Sequence, residues 1–140
     1  MFELNTDGTG FTNLYSFTAS AAAYLNVTND DGALPVAGLI LSGSTLYGTA
    51  LKGGSSGNGT VFAVTTNGSS FTTLHSFAGF PSDGAYSMAG LILSGKTVYG
   101  TAESGGSFDY GTVFSLPLVS TSLPQLAIIS SGTNIILMGL

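Results

Sequence analysis

The sequence predicts an all-β, β-propeller-like chain of about two four-stranded blades plus extra strands, and three observations carry that expectation. The stretch AGLILSGSTLYGTA, Ala37 to Ala50, returns almost letter for letter as AGLILSGKTVYGTA, Ala89 to Ala102. The apolar residues fall in short runs broken by Gly, Asn, Asp and Ser, the punctuation of strands and tight turns. No stretch shows a capped 3.6-residue apolar period, so almost no helix is expected.

The bulk numbers agree with a folded β domain. A chain of 140 residues fits one domain and can bury roughly two-thirds of its unfolded surface. With 44% hydrophobic and 6% charged residues it has ample apolar surface to fold rather than stay disordered. Two Lys, no Arg and a net charge of -5 offer no footprint for phosphate backbones, so no nucleic-acid partner is expected. No apolar run reaches the roughly 18 residues of a membrane-spanning helix. The absence of Cys excludes disulfides, thiolate metal sites and Cys nucleophiles. The opening MFELNTDG has neither the basic nor the apolar region of a signal peptide.

Taken in chain order, FELNTDGTGFTNLYSF (Phe2 to Phe17) is a first pair of strands around Asp7-Gly8. Asn29-Asp30-Asp31-Gly32 turns the chain into LIL and TLYGTA, a hairpin by its spacing. Gly53-Gly54 leads on to GTVFAV and then FTTLHSF, which repeat the opening pair, with Phe62 at the place of Phe2 and Phe77 at that of Phe17. Strict alternation puts Phe71, Thr73, His75 and Phe77 on one face and Leu74 on the other. Ser82-Asp83-Gly84, a second LIL hairpin turning at Ser94-Gly95, and Gly105-Gly106 follow at a spacing of 52 residues, and GTVF returns at Gly111. The first copy carries eight extra residues between Phe17 and Asp31.

Four strands in some 40 to 50 residues is the size of a propeller blade. The expected organisation is two tandem repeats in 1–116 (about 1–59 and 60–112, then the first strand of a third) and an apolar β-hairpin tail in 117–140 around Ser131-Gly132. Two blades do not close a ring of the usual roughly 4 to 8 blades. A homo-oligomer that completes the ring or exchanges end strands is therefore expected, because open strand edges invite pairing.

DGALPVAGLILSGSTLYGTALKGGSSGNGTVF and DGAYSMAGLILSGKTVYGTAESGGSFDYGTVF resemble the signature of the Gloeo-Verruco (GloVer) tandem-repeat proteins. The resemblance covers about residues 1–116 and implies a secreted or cell-surface protein of repeated β units. It brings no established activity. The second copy departs from the pattern at Ser87, where Pro is usual, and at Asp109, where Gly is usual.

Candidate chemistry is sparse. Gly53-Gly54-Ser55-Ser56-Gly57 matches the G-x-S-x-G of a nucleophile elbow, but a strand follows it where the elbow needs a helix. His75, the single histidine, stands where the first copy has Tyr15, which suits aromatic packing as well as a general base. The carboxylates of the two Asp-Gly loops would recur at one end of a ring. Together with amide and main-chain oxygens, Asp30, Asp31 and Asp83 suit a hard cation, Ca²⁺. The same Asp-Gly pairs also simply build turns.

Two functions follow as expectations. One is a Ca²⁺-assisted hydrolase of small uncharged lactones such as acyl lactones, with Asp30, Asp31 and Asp83 on the metal and His75 with Asp83 handling the proton; it rests on analogy with propeller lactonases at the level of fold. The other is a non-catalytic secreted or cell-surface repeat module that binds a ligand or partner.

Overall fold

A computed structural model describes residues 1–18 and 28–118, together with the backbone of Ala127–Ser131 and Asn134–Met138. Among the described residues there is no helix, and the strands form several sheets, none of them closed.

Strands β1 (Phe2–Glu3) and β2 (Thr12–Asn13) pair antiparallel. Their connection is pinned by an Asx turn in which the Thr9 N–H and hydroxyl donate to Asp7 Oδ1 at 2.9 and 2.7 Å. Strands β3 (Ile40–Ser42), β4 (Thr45–Ala50), β5 (Thr60–Thr65) and β6 (Phe71–Ser76) form an antiparallel meander in sequential order. Strand β7 (Gly84–Ala85) pairs with β10 (Ser104–Gly105), while β8 (Ile92–Ser94), β9 (Thr97–Ala102) and β11 (Thr112–Pro117) make a three-stranded sheet. Strands β12 (Ala127–Ser131) and β13 (Asn134–Met138) pair with each other.

Among the described residues one sheet has the four strands expected of a blade and its repeat equivalent has three; residues 119–126, next along the chain after the third strand, lie outside the described residues. The four-stranded sheet also runs across the Gly59/Thr60 boundary: β3 and β4 come from the first sequence unit, β5 and β6 from the second. A sequence period has no starting point of its own, so hydrogen bonding alone decides where a sheet begins. The hairpin turns sit one residue later than Ser94-Gly95, with Ser94 opposite Thr97 around Gly95-Lys96, and Ser42 opposite Thr45 around Gly43-Ser44. Gly43 and Gly95 have φ of 58° and 59°, which the first central residue of such a tight hairpin needs.

The repeated letters are those that pack sheet on sheet. Gly48 pairs with Phe62 across β4 and β5, and Gly100 with Phe114 across β9 and β11. Each phenyl ring lies over its glycine in the space a Cβ would fill. Phe17 meets Phe62 edge-on at 5.3 Å and 71°, and Phe77 meets Phe114 at 5.1 Å and 67°. Consecutive units are thus joined by the same aromatic contact.

One facial assignment is corrected. The register slips between Val61 and Phe62, with Val61 opposite His75 and Phe62 opposite Thr73, leaving Leu74 as the extra residue of a β-bulge. Phe71 therefore stacks on Phe62 and Tyr15, facing the preceding unit. Leu74 and Phe77 pack with Val61 and Leu91, toward the following unit, and the His75 ring lies edge-on to Phe77. Strict alternation would have kept Phe71 and His75 together. The bulge separates them.

Candidate functional site

The Asp-Gly loops enter each unit between the end of one sheet and the start of the next. In the first loop, Asp31 is buried and accepts hydrogen bonds from Tyr15 and Thr18. The Tyr15 hydroxyl and the Thr18 N–H donate to Oδ2 at 2.8 and 2.7 Å, and the Thr18 hydroxyl donates to Oδ1 at 2.6 Å. In the second loop, His75 Nε2 lies 3.0 Å from Asp83 Oδ2, which also accepts the Ala78 N–H at 2.8 Å, while the Gly84 N–H donates to Oδ1 at 2.7 Å.

These are one constellation used twice. Tyr15 and His75 occupy the same repeat position, as do Thr18 and Ala78, three residues further on. Each ring also lies edge-on to the next phenylalanine, Tyr15 to Phe17 at 5.3 Å and His75 to Phe77 at 5.0 Å. The carboxylate ties the strand end of one unit to the entry loop of the following one.

The electrostatics follow from the contacts. Burial pushes the Asp31 carboxyl up, but the hydroxyl and amide of Thr18 and the hydroxyl of Tyr15 outweigh it and hold the group below its ordinary value. Tyr15 is pushed up to about 12, by burial first and then by the hydrogen bond and charge of Asp31.

The remaining sequence-predicted groups divide between loops. Asp30 is exposed, and its main-chain oxygen accepts the Thr73 hydroxyl at 2.7 Å. Among the described residues no three His, Cys, Asp or Glu side chains gather where one ion would reach them; Asp30, Asp31 and Asp83 do not form one group. Ser55, in the G-x-S-x-G stretch, has its N–H and hydroxyl on Ser76 Oγ at 2.8 and 3.0 Å, and no helix follows it.

Several residues that organise these loops were not singled out from the sequence. Asn29 Oδ1 accepts the N–H groups of Gly32 and Gly54, both at 2.9 Å, and its Nδ2 donates to the Gly32 carbonyl at 2.9 Å. Asn58 Nδ2 donates to the Ala78 carbonyl at 2.9 Å, and the Lys52 ammonium sits 3.7 Å above the Tyr86 ring. Only the partners of Asp31 and Asp83 carried a readable signal, the shared three-residue step from Tyr15 to Thr18 and from His75 to Ala78.

Both departures from the repeat pattern are accommodated locally. Ser87 is buried and its hydroxyl donates to the Thr101 carbonyl at 2.9 Å. Asp109 adopts φ of 59° where Gly57 has 76°, and its Oδ1 accepts the Gly105 N–H at 2.8 Å. An open groove runs along residues 105–113, lined by Phe108, Tyr110 and Val113; none of the predicted site residues lines it.

No curated protein and no solved structure matches the chain. The Gloeobacter/Verrucomicrobia repeat profile matches residues 1–127. That span holds both copies of the glycine–phenylalanine pairing and both carboxylate ties, and the chain belongs to the Gloeobacter/Verrucomicrobia repeat family.

Proposed function

We propose that the chain is a non-catalytic repeat module, a propeller-like stack of β units whose Asp-Gly carboxylates latch one unit to the next. In that role it serves as a secreted or cell-surface scaffold that binds through its surface. The observation that carries this reading is the doubled constellation. Asp31 with Tyr15, and Asp83 with His75, make the same bond at the same place, and a phenol does not substitute for an imidazole as a base near neutral pH. Ca²⁺ takes roughly 6 to 8 oxygen ligands, and it would have to displace the N–H and O–H donors that already occupy Asp31 and Asp83.

A Ca²⁺-assisted lactonase is the second reading. It is favoured by one observation, the 3.0 Å His75–Asp83 pair with the imidazole about two-fifths exposed. Acyl-lactone ring opening, measured with Ca²⁺ and with chelator, separates the two. The module reading expects no turnover in either condition and a folded His75→Tyr variant. Calcium-dependent turnover that disappears in Asp83→Asn and in His75→Tyr would replace it with the hydrolase.

A further inference from the structure

The chain holds two Asn-Gly steps, Asn58-Gly59 and Asn67-Gly68. At such a step an asparagine can react with its own backbone, because no side chain on the next residue shields the peptide nitrogen. The fold treats the two steps differently. Asn58 is half-buried in the joint between units. Its Nδ2 donates to the Ala78 carbonyl at 2.9 Å, its carbonyl accepts the Tyr86 N–H at 2.9 Å, and the Gly59 N–H donates to the Gly53 carbonyl at 2.9 Å. Asn67 is exposed in the turn between β5 and β6, and its Oδ1 accepts the Ser69 N–H at 3.1 Å.

Asp7-Gly8 stands at the place of Asn67-Gly68 in the first unit, as Phe2 stands at that of Phe62. The two turns match bond for bond. The Gly8 N–H donates to the Asn5 carbonyl and the Gly68 N–H to the Thr65 carbonyl, both at 2.9 Å. Asp7 Oδ1 accepts the Thr9 N–H at 2.9 Å, as Asn67 Oδ1 accepts that of Ser69. Gly8 and Gly68 have φ of 82° and 70°. The repeat thus already accommodates an aspartate in this turn.

We propose that Asn67 is a modification site, an asparagine that deamidates spontaneously in the folded chain, whereas Asn58 is protected. The Gly68 backbone nitrogen loses its proton to solvent and attacks Asn67 Cγ. The N–Cγ bond forms, the Cγ–Nδ2 bond breaks, and ammonia leaves with a proton taken from water. Water then opens the resulting succinimide to aspartate or, at the other carbonyl, to isoaspartate; nothing is oxidised or reduced. The Ser69 N–H already sits on the oxygen that gathers charge in the tetrahedral adduct. Attack at Asn67 gives up a bond inside one turn, whereas attack at Asn58 must open ties between separate segments. Both products add one negative charge to a chain of net charge -5. The isoaspartate product also lengthens the backbone by one methylene beside Leu14, whose carbonyl oxygen would stand 2.7 Å from a Cβ on Gly68. Chemical ageing of the turn therefore acts on the contact between the first two units. The proposal does not depend on the role assigned to the Asp-Gly loops.

The test ages the full chain in warm, mildly alkaline buffer and follows each asparagine by peptide mass spectrometry, with fragmentation that distinguishes aspartate from isoaspartate. In the folded chain Asn67 should convert at least ~10-fold faster than Asn58, the difference made by the ties that hold Asn58 and Gly59. In urea the two should convert at similar rates, since that protection is gone. Asn67→Asp should fold and melt as the unaged chain does, and the isoaspartate fraction separated from aged protein should melt lower. Equal rates at the two sites in the folded chain, faster conversion at Asn58, or an Asn67 that reacts only in urea overturns the proposal. An Asn67→Asp chain that fails to fold overturns the equivalence with Asp7 on which it rests.

Discussion

Gly48 and Phe62 face each other across β4 and β5, and a Cβ on Gly48 would stand 2.7 Å from Phe62 Cζ. Leu39 Cδ2 would stand closer still, at 2.5 Å, and the Gly48 φ is not positive, so alanine there would be excluded by these two side chains and not by the backbone. The pair explains why YGT and GTVF travel together in the sequence.

Gly48→Ala should therefore destabilise the protein by about 1–3 kcal/mol, the usual cost of overpacking a filled core. Phe62→Leu in the same chain should recover part of that loss, because the shorter side chain vacates the space. Urea denaturation of the two single variants and the double variant measures the coupling. Strict additivity would mean that the ring is not what excludes the methyl group.

Asp31→Asn should cost about 1.5–3 kcal/mol, since hydrogen bonds to a charged, buried acceptor are lost and an amide N–H₂ is turned on donors. Asp83→Asn should cost less, because Asp83 is about one-quarter exposed and water can replace its partners. Denaturant midpoints give the order; equal losses would contradict the difference in burial.

Stability should fall as the pH rises from about 10 to about 12, with Tyr15 as one cause. Its folded pKa of about 12 stands above the ordinary 10.0, so its contribution is complete below pH 10 and is lost as the phenol of the unfolded chain ionises first. Asp31 runs the other way. Its lowered carboxyl contributes above the ordinary value of 3.8, and that contribution is lost as pH falls through the folded value. Melting temperature against pH, compared with Tyr15→Phe, tests the alkaline limb; an unchanged limb in the variant would remove Tyr15 as its cause.

At position 109, Gly and Asp should be nearly interchangeable and Ala should not. Asp109→Gly relieves a positive φ but gives up the acceptor of the Gly105 N–H, whereas Asp109→Ala keeps the strain and also loses the acceptor. A non-glycine residue in this region pays about 1–2 kcal/mol, offset in Asp109 by its local bond. Thermal unfolding should rank Asp109→Ala lowest.

Much of the fold was legible because its determinants are local and stated twice. The two LIL hairpins, whose turns fall one residue from the expected place, the Asp7-Gly8 turn and the strand-breaking Gly pairs all act within a few residues. The faces of β6 were not legible past Leu74, since the bulge arises from pairing with Val61 and Phe62 on another strand. The sheet boundary was illegible for the same reason. For the candidate site, the sequence brought Asp31 and Asp83 forward as carboxylates and aligned His75 with Tyr15. It did not reveal that the two observations were one, because Tyr15 reaches Asp31 across the eight-residue insertion, and an aligned pair of columns carries no distance.

The four-stranded sheet that straddles Gly59/Thr60 has a genetic corollary. Because each strand finds its partner by position within the period, a recombination event that adds or removes one whole period can fall anywhere along the repeat. The breakpoint leaves every strand beside a neighbour of the right kind. Such a lineage can lengthen or shorten by unequal crossing-over without first evolving a new junction.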